Sequence, residues 1–243
     1  MPNPIKIQAT VVSHIKITEG VFSLVLLPAK RRFSFYPGQF LHLAIDPYDP
    51  NGGFWPDSRV FSIASSPDSE TIEIVYSVKG AYTKRMMNEI KVHDSLWLKF
   101  PYGNFIINNF LDSTVTKVVI IAGGTGISPF LSYFRNKNVI KDTSQKHLYW
   151  GVKSPEIFNI FQDIDEVLDE SFTLHLFCEN PDKTALRDYE IGILPIQEIL
   201  KNQGNNASCL YFLSGPPRMI MSFKEYLLEN QVLEENIIID DWE

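Results

Sequence analysis

The sequence predicts two units in series, an N-terminal antiparallel β-barrel and a C-terminal doubly wound α/β domain with a parallel sheet. Three observations predict it. As far as Asn108 the chain alternates short β-branched runs with turn residues, the pattern of a closed or sandwiched all-β unit. Beyond that point continuous apolar runs alternate with helix-length segments, the pattern of a parallel sheet covered on both faces. The polar stretch Asn108 to Thr116 lacks periodicity and is placed as the boundary, so the expected domains are residues 1–110 and 111–243.

In the first unit, Gln8 to Ile17 and Val21 to Leu27 read as strands joined by the turn Thr18-Glu19-Gly20. Tyr36-Pro37-Gly38 is a second turn, leading into a strand from Gln39 to Ile45. The loop from Asp46 to Ser58 carries three prolines and two glycines and is long for an internal connection, a length that often marks function. Strands resume at Val60 to Ala64, Thr71 to Val78 and Ser95 to Phe100, with a short helix expected over Tyr82 to Ile90. In the second unit, strands are expected at Lys117 to Ala122, His147 to Trp150, Phe172 to Cys178, Leu210 to Leu213 and Asn236 to Ile239. Helices are expected at Ile127 to Asn136, Glu156 to Leu168, Leu194 to Asn202 and Pro217 to Asn230.

Composition removes several functions. The 243 residues are 44% hydrophobic and 21% charged, enough to bury a core without staples. The net charge of −7 and the lack of a basic tract argue against a nucleic-acid partner. The two cysteines, Cys178 and Cys209, form no C-x-x-C pair, so no zinc site or cysteine-held iron–sulfur cluster is expected. The five histidines lack metal-ligand spacing, and no metal is expected. No apolar run reaches the length of a membrane span and the N-terminus has no signal core, so the expected location is cytoplasmic.

Three motifs carry chemistry. Gly123-Gly124-Thr125-Gly126 follows a buried strand and opens a helix, where glycines admit a ligand and free amides attract an anion. Ser214-Gly215-Pro216-Pro217 also sits between a strand and a helix, although alone Gly-Pro-Pro is more often a helix start than a binding loop. Arg59-Val60-Phe61-Ser62 puts Arg59 and Phe61 on one strand face and Val60 and Ser62 on the other. A phosphate and a planar ring would suit that strand; on physics alone, a plain strand with a surface arginine is the simpler reading.

Six motifs in order over about 180 residues resemble the ferredoxin–NADP reductase superfamily. They are Pro37-Gly38-Gln39-Phe40, Arg59-x-Phe61-Ser62-x-x-Ser65, Gly80-Ala81-Tyr82-Thr83, Pro101-Tyr102-Gly103, Gly123 to Pro129, and Gly215-Pro216-Pro217. The resemblance implies a flavoprotein that moves a hydride from NADH or NADPH to FAD. Arg59 would then pair with flavin phosphate. Phe61, where the family usually has tyrosine, would lie against the isoalloxazine, and Ser62 would bond near the hydride-accepting nitrogen. Gly80, Ala81, Tyr82 and Thr83 would hold the pyrophosphate, which favours FAD over a flavin without its adenosine half. Val75 and Tyr76 would line the adenosine side.

In the second unit Gly124, Thr125 and Gly126, with Gly215 and Pro216, would bind the nicotinamide nucleotide. Ser214 would stand beside the nicotinamide, where many members have cysteine. Glu179 would repel an extra phosphate and favour NADH, or is only a solvated charge; Lys183 and Arg187 could restore NADPH binding. Trp242 would cover the flavin face, or is an anchor or exposed end. The acceptor is left open between an iron–sulfur or haem protein and a free flavin. Two alternatives stand beside this reading: a reductase that uses flavin as substrate, and a non-catalytic nucleotide-sensing subunit of a larger electron-transfer complex.

Overall fold

The computed structural model describes residues 4–29, 33–136, 144–161, 172–181 and 188–241. By contacts these form two compact units. One holds the chain up to Ile106 and the segment that starts at Ser128. The other holds Ile107–Ile127 and the later residues to Asp241.

The first unit is a six-stranded antiparallel sheet of β1 (Ile5–Thr18), β2 (Val21–Pro28), β3 (Phe40–Ala44), β4 (Arg59–Ser62), β5 (Ile72–Ser77) and β6 (Ser95–Tyr102), in the order β4-β3-β6-β1-β2-β5. Ala64 N–H donates to Glu73 O at 2.8 Å, bringing the end of β4 beside β5 and nearly closing the barrel. Alternation sends Ile7, Ala9 and Val11 inward against Leu24, Leu26, Leu96 and Leu98. A register shift between Val11 and Ser13 then puts His14 opposite Leu24, on the inner side. Helix α1 (Ala81–Glu89) buries Tyr82 and Met86, four residues apart, in the same core.

Helix α2 (Ser128–Phe134) groups with this barrel, although the expected boundary assigned it to the following domain. All seven of its residues are buried. Phe130 meets the edge of Phe105, and Arg135 pairs with Glu73 at 2.8 Å and donates to Ala64 O.

The second unit is a six-stranded parallel sheet in the order β10-β9-β8-β7-β11-β12. Its strands are β7 (Lys117–Gly123), β8 (Gln145–Val152), β9 (Phe172–Cys178), β10 (Glu190–Ile191), β11 (Cys209–Ser214) and β12 (Ile237–Ile239). Val119, Ile121, Tyr149, Tyr211 and Leu213 pack one face against Ile199 and Leu200 of α3 (Ile196–Gln203) and Ile220 and Leu227 of α4 (Pro217–Glu229). Both cysteines are buried in this sheet.

Two features differ from the sequence expectation. The two-residue edge strand β10 is too short to show periodicity. The helix expected from Glu156 begins as a 3-10 turn over Pro155–Phe161, and residues 162–168 lie outside the described residues. Among the described residues no helix is long and apolar enough to cross a membrane.

Candidate functional site

In the barrel unit the candidate residues gather around β4 and the start of α1. The Arg59 guanidinium lies 4.8 Å from the centre of the Tyr82 ring. Its Nη1 donates to Asp57 Oδ1 at 2.6 Å and to Ser58 O at 2.7 Å. Tyr82 is fixed in turn: its hydroxyl donates to Leu43 O at 2.7 Å and accepts from Ile45 N–H at 3.1 Å. Burial, foremost, pushes its phenol up to about 12, so it stays a neutral donor. Sequence reasoning placed Arg59 and Tyr82 in separate motifs and missed both their stacking and Asp57 between them. No local signal reveals a contact made by a loop returning to a helix start.

The resemblance gave the Thr83 hydroxyl a share in holding the pyrophosphate; here it is engaged within its own loop. Its Oγ1 accepts from the amides of Lys79 and Gly80, at 2.9 and 3.1 Å, and so shapes the loop instead of reaching for a ligand. Lys84 N–H is bonded to Gly80 O, which leaves the amides of Ala81, Tyr82 and Thr83 as the free first-turn donors of α1. That turn has no acidic residue, and nothing lies within 4 Å of the place a Cβ on Gly80 would take. Together these leave an open, electropositive helix start.

Farther along β4 the side chains divide by face. Phe61 sits opposite Leu41 and turns into the barrel, edge-on to Tyr76. It packs in the barrel core at 8% exposure, and its expected place against a flavin ring is carried forward as part of the proposal below. Tyr76, 2% exposed, is also inside, stacked with Phe22 and bonded to His14 Nε2 at 2.8 Å. His14 Nδ1 faces Ile90 O at 3.1 Å, so the proton belongs on Nδ1 and Tyr76 donates to Nε2. Val75 lies under α2, whose Ser128 hydroxyl donates to Val75 O at 3.4 Å. Both side chains are buried, so any lining of an adenosine site by this strand would fall to its backbone. The outer face carries half-buried Val60 and buried Ser62. Ser62 lies opposite Phe40, is 3% exposed, and its Oγ has no hydrogen-bond partner.

In the second unit the glycine loop and the Ser214 loop meet. β7 leads to β8 on one side while β11 lies on its other side, so the two loops flank the point where strand order reverses. A Cβ on Gly126 would stand 2.5 Å from Ser214 O. Gly126 is therefore required by loop packing, whereas Gly124, at φ +56° with open space around it, is free to approach a ligand. Thr125 is half-exposed between them. A Cβ on Gly215, at φ +150°, would stand 2.9 Å from Gly123 N, and Pro216 leads into α4. Ser214 is buried at the carboxyl end of β11 and donates to Asp240 Oδ2 at 2.8 Å. Asp240 was missed in the sequence because its link to Ser214 runs through the pairing of β11 with β12. Glu179 is exposed at the carboxyl end of β9, held by its amide on Val152 O at 3.0 Å. Trp242, Lys183 and Arg187 lie outside the described residues.

Residues 120–225 match the oxidoreductase NAD-binding domain family. The reductase component of propane 2-monooxygenase from Mycolicibacterium smegmatis is 27% identical over 93% of this chain. That from Rhodococcus jostii is 28% identical over 98%. The chain spans 64% of the length of each of these relatives. A solved ferredoxin NADP+ reductase from Neisseria gonorrhoeae, with bound FAD and NADP, superposes with a TM-score of 0.77 at 19% identity, covering 96% of this chain and 97% of that one. The barrel and parallel sheet thus form the ferredoxin reductase-like two-domain fold.

Proposed function

We propose that this chain, a ferredoxin reductase-like FAD/NAD(P)-binding oxidoreductase, takes a hydride from NADH onto FAD held at the barrel and passes electrons to a separate acceptor. The observation that carries this reading is strand β4. One end offers a cation beside an open helix start, and the other a buried hydroxyl without a partner. An unpaired buried hydroxyl costs about 1–3 kcal/mol, so a ligand that bonds it relieves a standing penalty. FAD fits this set: phosphate for Arg59 and the α1 amides, and a ring nitrogen for Ser62.

Bound FAD supplies the conversion of a two-electron hydride into electrons an acceptor can take. The protein's part is position and electrostatics. Arg59 and the amides of Ala81 to Thr83 anchor the phosphates, and Ser62 orients the ring. Gly124 and Thr125 receive the nucleotide's phosphates at the strand-order switch, and Ser214, fixed by Asp240, presents its hydroxyl to the nicotinamide. Hydride transfer needs no general base. The two relatives above are named as reductase components of a monooxygenase, which supports a separate protein as acceptor. Two buried cysteines cannot hold a four-thiolate cluster within this chain.

The inward-turned Phe61, which offers no hydroxyl, favours a second reading in which flavin is a loosely held substrate. An absorption spectrum of the desalted protein, then anaerobic titration with NADH, separates the two. A yellow protein that bleaches and releases FAD on denaturation supports the first reading. A colourless protein that reduces added FMN or riboflavin supports the second. A colourless protein that does neither overturns both.

A further inference from the structure

We infer that Asp57 selects the charge of the flavin phosphate, admitting the pyrophosphate of FAD and penalising the phosphomonoester of FMN. The inference rests on the flavin reading of Arg59 given above.

The Arg59 guanidinium is pre-placed by three contacts. Tyr82 lies under its face, while Asp57 Oδ1 and Ser58 O both take Nη1. Nε and Nη2 are left to meet a ligand. Both partners are half open to water, with side-chain exposures of 51% and 59%, so an incoming phosphate can reach the free edge without moving Asp57. It then sits beside a cation already paired with a carboxylate. Asp46, the other carboxylate acting on Tyr82, is itself tied to Arg85 at 2.8 Å. Lys79 and Lys84 are exposed and are the same in every Asp57 variant, so comparing variants isolates the effect of the carboxylate.

The two flavins differ in how they carry charge. The phosphomonoester of FMN holds about −1.5 to −2 on one group at neutral pH. All of it must lie next to Asp57. The pyrophosphate of FAD spreads two single charges over two groups. One faces Arg59 and the other can lie against the amides of α1, whose attraction comes from the backbone and is not cancelled by Asp57. A carboxylate within a few ångströms of the bound phosphate therefore weakens FMN more than FAD, and salt reduces the difference.

The test measures FAD and FMN dissociation constants by flavin fluorescence quenching on the full-length apoprotein, in low and high salt, for the parent, Asp57→Asn and Asp57→Glu. The parent is expected to bind FAD more tightly than FMN. Asp57→Asn should tighten FMN roughly tenfold and FAD roughly threefold at low salt, narrowing the preference about threefold. Asp57→Glu should restore it. A parent that binds both flavins equally overturns the inference and leaves the flavin reading standing. So does an Asp57→Asn protein that changes both affinities by one factor, since Asp57 would then only hold Arg59 in place. If no form binds either flavin, the flavin reading fails and the inference falls with it.

Discussion

Ser214 and Asp240, 26 residues apart in the chain, are joined by a 2.8 Å hydrogen bond at the carboxyl ends of two neighbouring parallel strands. A free serine hydroxyl rotates; this one has its proton committed to the carboxylate, so its lone pairs face away from Asp240. If Asp240 works by fixing Ser214, removing either partner should have the same effect. Ser214→Ala and Asp240→Ala should each slow anaerobic flavin reduction by NADH roughly tenfold, and the double variant should be no slower than either single one. Stopped-flow reduction at saturating NADH checks this. Multiplying effects would show two independent roles.

Two glycines of one loop should respond differently to the same substitution. Gly126→Ala forces a Cβ to within 2.5 Å of the Ser214 carbonyl, a backbone atom that cannot swing aside. It should cost about 1–3 kcal/mol, read as a lower urea midpoint, and should disturb the Ser214 loop. Gly124→Ala meets no atom and pays only for its φ of +56°, about 1 kcal/mol. Its stronger effect should be on the KM for NADH, because that loop edge is the one left open. A stability loss equal to that of Gly126→Ala would contradict this division.

Two histidines make the second unit lose stability on mild acidification. His147 and His175 lie ring to ring with centroids 5.9 Å apart, and His175 stacks on Tyr149. Burial holds both below the usual 6.5, and His175, then Lys117, lower His147 further, while Glu190 partly offsets the shift at His175. Their folded-state affinity for protons is thus weaker than in the unfolded chain. The unfolded chain takes up more protons on acidification, so stability is full above about pH 6.5 and falls as the pH drops below it. Urea midpoints at stepped pH should decline through this window, and a His147→Gln/His175→Gln protein should show a shallower decline. An unchanged slope would assign the loss to other groups.

The division between barrel and parallel sheet was legible because it rests on periodicity. β-branched runs broken by turns, then continuous apolar runs such as Lys117 to Ala122, leave little choice of architecture. The glycine loop was legible for the same reason, since a strand and a helix bracket it. What stayed hidden depends on direction and on distant contacts. Alternation correctly put Phe61 and Ser62 on opposite faces, but only the pairing with Leu41 shows that the ring points inward. Thr83 looked like a ligand donor because a hydroxyl at a helix start suits one; the Lys79 and Gly80 amides reached it first. Tyr76 reads as an aromatic available to stack, until the bulge in β1 brings His14 against it. Asp57 and Asp240 left no trace in any motif, because their partners are set by loop closure and strand order.

On the proposed reading, coenzyme choice turns on one exposed carboxylate, Glu179. Glu179 lies at the carboxyl end of β9, and its amide continues the bonding between β8 and β9 through Val152 O. That bond ties the Glu179 backbone to the sheet, so its charge is presented at the strand end. A carboxylate at that strand end can accept from a ribose hydroxyl and repels the phosphate that replaces it in NADPH. The unaltered chain should show a higher kcat/KM with NADH than with NADPH. Glu179→Ser removes the repulsion and should raise kcat/KM for NADPH roughly tenfold, while NADH changes only about twofold, because an exposed hydrogen bond contributes little. Steady-state reduction of ferricyanide by each coenzyme measures both ratios. A parent chain that prefers NADPH would reverse the assignment of Glu179; a Glu179→Ser protein that loses both coenzymes equally would make the residue a support for the strand end and not a discriminator.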